Sequence, residues 1–175
     1  MKMPSRKVLI FALVTLTSAV TLFAQKPSPP AKAEVELAGK TITIDYSRPS
    51  MRGRKIMGDL VPYGQVWRTG ANDSTSLKTP VDLEIGGAKV PAGSYTIYSL
   101  PSATTWKLII NKQTGQWGTE YDQAQDLVRV DLKKSSLASP MEQFTIEFLK
   151  KGADSADLIL EWETTKLSVP VRAKR

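Results

Sequence analysis

The chain of 175 residues contains no histidine and no cysteine. Without histidine there is no Ser-His-Asp or Cys-His nucleophile system, no side chain that titrates near neutrality by default, and almost no zinc-site design. Without cysteine there is no disulfide framework, so packing alone must hold the fold. No Ser-x-x-Lys sequence occurs, which removes a histidine-free nucleophile motif as well. Walker, dinucleotide-binding and EF-hand signatures are also missing. No cofactor and no metal site is expected. General acid–base chemistry is left to carboxylates.

The first 24 residues have the composition of a secretory leader. Lys2, Arg6 and Lys7 precede the apolar run Val8–Val14, which continues in small and apolar residues to Ala24. That core is shorter than a spanning helix needs, and no second long apolar run follows. Residues 1–24 are therefore expected to be a signal peptide, and the protein to be exported, periplasmic or extracellular, with no transmembrane span in the mature chain. Removing them takes three of the 24 basic residues and none of the 17 acids, leaving 21 against 17, a net charge of +4 instead of +7. So mild an excess argues against nucleic acid as a partner, which calls for a clustered basic face.

Residues 25–34, rich in Pro, Ala and Lys, read as an extended spacer. Beyond them the pattern is that of strands. Lys40–Tyr46 alternates Thr and Ile. Val81–Ile85 and Ala88–Val90 flank Gly86-Gly87, a pair that supplies the positive φ a tight hairpin requires. Pro91-Ala92-Gly93 is a turn before the strand-like Ser94–Leu100, and Trp106–Ile110 follows the loop Pro101–Thr105. Leu127–Leu132, Gln143–Leu149, Leu158–Glu163 and Leu167–Val171 are four further runs, with Lys-Gly-Ala-Asp and Glu-Thr-Thr-Lys as breaks. Only Tyr121–Asp126 could form a helical turn. Short apolar or alternating runs with turns between them predict an all-β fold, a single antiparallel β-sandwich, jelly-roll-like, over residues 35–173. Its inward face is expected to include Ile42, Ile44, Leu83, Ile85, Ile97, Leu108 and Ile110. Val128, Val130, Phe144, Ile146, Phe148, Leu158 and Leu160 should complete it.

Tyr46–Asn72 is the densest segment. Arg48, Arg52, Arg54, Lys55 and Arg68 stand there against one acid, Asp59, among three aromatics, Tyr46, Tyr63 and Trp67. Arginine presents a planar fork of donors to carboxylate or phosphate, while Tyr and Trp present flat apolar faces with a polar tip. Two readings stay open. Arg48, Arg54 or Arg68 grips an anionic group beside Tyr63 or Trp67; or Trp67 is core and the arginines pin a long irregular loop. In the second case, an Arg68 paired with a buried carboxylate would make Arg68→Ala costly, by about 3–5 kcal/mol. A second constellation is Gln116-Trp117-Gly118, where Trp117 projects from a glycine-flanked turn as a stacking platform or a lid. Glu120 with Asp122, or Asp59 with Asp73, are the available carboxylate pairs, and a glycosidase-like pair must face itself across a cleft.

These residues together resemble a family. Tyr46–Ser50, Gly53-Arg54, Leu60–Gly64, Val66–Asn72, Pro91–Tyr95, Asn111-Lys112 and Gln116–Gly118 are similar to the DUF 2911 family of exported bacterial proteins over roughly Val35–Val171. Asp73 departs from the family pattern, where glutamate is expected after the asparagine; a carboxylate remains, on a shorter stem. The resemblance implies export, one β domain and no known reaction. It groups Arg48, Arg54, Tyr63, Trp67, Arg68, Asn72, Asp73 and Trp117 into one constellation. The expectation is a non-catalytic binding module for a polar or anionic ligand, a glycan, a peptide end or another small anion. The alternatives are a carboxylate-dependent hydrolase of envelope or extracellular polymers and a structural envelope protein.

Overall fold

Alternating Thr and Ile in 40–46 can bury one face of a strand while wetting the other, and the same period-two pattern recurs along most of the chain. In a computed structural model, which describes residues 28–174, these runs become nine strands. They are β1 (Pro30–Leu37), β2 (Lys40–Ser47), β3 (Ser76–Thr79), β4 (Leu83–Ile85), β5 (Ala88–Val90), β6 (Gly93–Leu100), β7 (Trp106–Asn111), β8 (Asp126–Lys150) and β9 (Ser155–Ala173). All pairings are antiparallel, in the order β1-β2-β3-β6-β7-β8-β9-β4-β5. The fold is all-β, as expected. The single helical element among the described residues is a 3-10 turn at Gln123–Gln125, whose first turn is capped by the Asp122 side chain. The proposed leader lies outside the described residues.

Two features differ from the reading of the sequence. The stretch taken as a spacer already contains strand: β1 opens at Pro30 and pairs with β2 from Pro30–Ser47 onward. Ala31, Ala33, Val35 and Leu37 alternate inward along it, and Ala33 is buried. Small alanines on the inner face make this strand look like linker in composition. Secondly, Leu127–Leu132 and Gln143–Leu149 are one strand, β8, and Leu158–Glu163 and Leu167–Val171 are one strand, β9. Lys-Gly-Ala-Asp is the turn between them, whereas Glu-Thr-Thr-Lys is no turn. There Glu163 takes φ +53 and the β8–β9 register shifts between Ser136 and Met141 and again between Met141 and Thr145. Extra residues at a bulge bend a ladder without ending it.

The bend lets one strand serve both parts of the sheet. β8 pairs with β7 through Leu132 and with β9 from Lys133 onward. The sheet curls so that β1 packs across from β8 and β9, far from them in strand order. Between lies one apolar cluster including Leu37, Ile42, Ile44, Ile97, Leu108 and Trp106, each at most 1 % exposed. Of the residues expected inward, Val128 and Phe148 are only half-buried and pack on the cluster's margin; the others are buried. Gly86 and Gly87 take φ +56 and +86 in the β4–β5 hairpin, as its sequence requires.

The connection from β2 to β3 carries the Arg-rich segment, and it is fastened to the β8–β9 bulge. Phe144 N donates to Pro49 O (2.9 Å) and Met51 N to Glu142 O (2.8 Å). The Glu142 carboxylate accepts from Arg52 N (2.9 Å), and that of Glu163 from Ile56 N (3.1 Å) and Met57 N (3.4 Å). Ile56 and Val61, fully buried, plug the loop into the core. The long loop is therefore ordered by a few long-range acceptors and two apolar anchors.

Candidate functional site

Trp67-Arg68-Thr69-Gly70-Ala71-Asn72 is a sharp, strained turn. Trp67 bridges to Ser99 of β6, with its amide 2.8 Å from Ser99 O. Thr69 then adopts φ +51, Gly70 φ +153 and Asn72 φ +60. A β-branched residue at positive φ is rare and costs on the order of 1–3 kcal/mol, so surrounding bonds must over-determine it. They do. Thr69 Oγ1 donates to Ser99 Oγ (3.0 Å), Thr75 Oγ1 donates to Thr69 O (2.8 Å), and Asn72 Nδ2 donates to Ser28 O (3.0 Å). Thr69 itself is wholly buried. The turn aims Trp67 and Arg68 into a cavity of about 440 Å³.

Trp67 lines the cavity against a backing of aromatic rings. It stacks on Trp162 at 5.8 Å and 18°, and meets Phe144 (5.0 Å) and Trp106 (6.5 Å) edge-on. Trp67 packs on the core, and it also borders the cavity. Arg52, Arg54 and Arg68 also line the cavity, and among the described residues no Asp or Glu does.

The arginines divide by partner. Arg48 is held by β8, its Nε donating to Phe144 O (3.1 Å) and Nη2 to Thr145 Oγ1 (2.8 Å). Arg54 ties its own loop, with Nε 2.9 Å from Met51 O and Nη2 2.8 Å from Ser50 O. Arg52 is engaged as well. Arg68 is half-buried, and its guanidinium has no hydrogen bond or ion pair among the described residues. Its aliphatic stem lies over Gly118, where a Cβ would sit 2.9 Å from Arg68 Cδ and 2.7 Å from Asn72 O. That close approach is why the Gln116-Trp117-Gly118 turn needs its glycine at this place.

Of the eight residues grouped from the sequence, Arg54, Trp67, Arg68 and Asn72 line the cavity; Arg48, Tyr63, Asp73 and Trp117 do not. Tyr63 is exposed, with its ring against Gly58. Asp73 and Trp117 bridge to each other through their backbones, beside the Gly118 N to Asn72 O bond (3.1 Å). The two sequence constellations thus meet, joined by backbone. None of Asp59, Asp73, Glu120 and Asp122 lines the cavity. Among the described residues no cluster of side chains could hold a metal ion, and no helix is long and apolar enough to cross a membrane.

Sequence reasoning missed the far wall, built by Tyr98 of β6, Thr119 and Tyr121. The two tyrosine rings meet edge-on at 4.9 Å. Both hydroxyls are engaged within the protein. Tyr98 donates to Glu120 O (2.9 Å) and accepts from Gln116 Nε2 (3.0 Å). Tyr121 donates to Asp126 Oδ2 (2.7 Å) and accepts from Arg129 Nη2 (2.7 Å), while Arg129 is paired to Asp126 at 2.7 Å. The available signal was Tyr121 with Asp126 and Arg129 at the start of a strand, but nothing local ties them to Arg68.

Burial, then the hydrogen bond to Asp126, pushes the Tyr121 hydroxyl up to about 12 from 10.0, against the opposing pull of Arg129. Because the folded state favours the neutral phenol, the stability it contributes is whole below pH 10 and is lost as pH rises through about 12. Absorbance titration of phenolate should therefore show a late step near 12 that Tyr121→Phe abolishes. A late step unchanged in that variant would mean the shifted group is another tyrosine.

No curated protein and no solved structure matches the chain. A family described as "Protein of unknown function (DUF2911)" has a model that matches residues 28–171. The match runs from the serine whose carbonyl holds Asn72 to Val171 in the last strand, so the chain belongs to this family.

Proposed function

We propose that this protein is an exported, non-catalytic binding module that takes an anionic ligand into the cavity beside Trp67. The observation that carries this reading is Arg68, a half-buried residue whose guanidinium has no partner among the described residues, in a cavity that arginines line and, among the described residues, no carboxylate does. An anionic ligand would supply the partner that the fold leaves out. The cavity volume falls in the range of small-molecule sites, roughly 300–1,000 Å³. The strained but tightly bonded turn beside Arg68 supports the same reading, since it sets where the arginine leaves the backbone before any ligand arrives. Arg48 and Arg54 serve the loop itself. A hydrolase working through a carboxylate pair gains no support, because no Asp or Glu among the described residues borders the cavity.

The test is Arg68→Ala beside the exposed control Arg172→Ala. With no carboxylate to strand, Arg68→Ala should change stability by less than about 1 kcal/mol, most of it lost stem packing on Gly118. Binding of small organic anions, followed by calorimetry, should weaken about 10–100-fold, the worth of a charge-assisted hydrogen-bonded pair. Arg172→Ala should leave both unchanged. A melting loss equal to several kcal/mol for Arg68→Ala, with anion binding intact, would return the segment to a purely structural role.

A further inference from the structure

We infer that the ligand is a flat, largely apolar monocarboxylate, an aryl-carboxylic acid in chemical class; this deepens the binding reading above and rests on it. The charge follows from counting uncommitted forks. Arg54 already donates through Nε and Nη2 to loop carbonyls, Arg52 is engaged, and only Arg68 among the lining arginines has its whole guanidinium available. One planar fork matches one carboxylate through two parallel hydrogen bonds, whereas a phosphate with three charged oxygens calls for several such donors.

The apolar body follows from the walls. Pro49, Leu60, Pro62 and Val66 line the cavity beside Trp67, and the hydroxyls of Tyr98 and Tyr121, also in its lining, are already bonded to Glu120 O and Asp126. The Asn72 amide is likewise turned to Ser28 O. Trp67 adds a large ring, backed by Trp162. At the rim Leu60 is 44 % exposed, an apolar side chain left in water beside the opening. An aromatic ring laid against Trp67 would give up only its hydration on entering.

The experiment titrates the full chain with phenylacetate and cinnamate, and with phenylacetamide, glucuronate and phenyl phosphate as contrasts, by calorimetry and by quenching of tryptophan fluorescence. Phenylacetate and cinnamate are expected to bind, with the uncharged amide and the sugar acid each at least about tenfold weaker. Phenyl phosphate should bind no more tightly than phenylacetate. Arg68→Lys, which keeps the charge but not the fork, should weaken cinnamate several-fold. Tight glucuronate with weak cinnamate would overturn this inference and leave the anion-binding reading standing, and so would phenyl phosphate as the best ligand. Equal binding of amide and acid removes the role of Arg68. Binding of none of the five overturns both readings together.

Discussion

Trp162→Ala is expected to destabilise the protein by about 3–5 kcal/mol, the range for removing a fully buried aromatic side chain. Trp162 is 2 % exposed, stacks on Trp67 and lies 5.9 Å from Phe144, so truncation leaves a hole beside both rings. It also strips Glu142 O of the Trp162 Nε1 donor at 3.1 Å, although Met51 N still donates to that carbonyl. In a protein of this size the melting temperature should fall on the order of 10 °C. Anion binding should fall with it even well below the melt, because Trp67 loses its backing. Trp162→Phe should recover part of both. Denaturant unfolding of the two variants decides the matter, and a loss under about 1 kcal/mol for Trp162→Ala would mean the ring cluster does not hold the site.

Gly70→Ala should be nearly as damaging, through strain in place of a cavity. At φ +153 an L side chain is strained, and its Cβ would stand 2.8 Å from Thr75 Oγ1 and 3.2 Å from Ser47 O. Backbone strain and overpacking each cost roughly 1–3 kcal/mol, and Thr75 cannot swing away without dropping its bond to Thr69 O. The turn would shift, carrying Trp67 and Arg68 with it. Lost stability and lost anion binding should therefore appear together. Gly64→Ala is the useful control: its φ is also positive (+79), but no atom lies within 4 Å of the added Cβ. A Gly70→Ala protein as stable as Gly64→Ala would show that crowding at this turn has been overestimated.

Much of this protein is legible locally. Alternation placed the strands of the first and last thirds, and Gly86-Gly87 placed a hairpin, because pleat period and turn chemistry are properties of neighbours along the chain. The lack of histidine and cysteine narrowed the chemistry before any fold was known. The density of arginine and aromatics between Tyr46 and Asn72 marked the segment that borders the cavity. Other features had no local signal. That β8 and β9 bend through Glu163 instead of ending there depends on bulges set by the partner strand. That β1 begins at Pro30 depends on pairing with β2, since its alanines carry little hydrophobic signal.

The sorting of the arginines was decided by tertiary structure alone. Arg48 finds its acceptor at Phe144, 96 residues further along, while Arg54 finds one three residues back and Arg68 finds none among the described residues. All three are the same side chain in the same loop. Composition can say that a loop is rich in donors, because donors belong to residues. Which donors are left over depends on where carbonyls and carboxylates from distant strands come to rest, and that is settled only when the chain is folded.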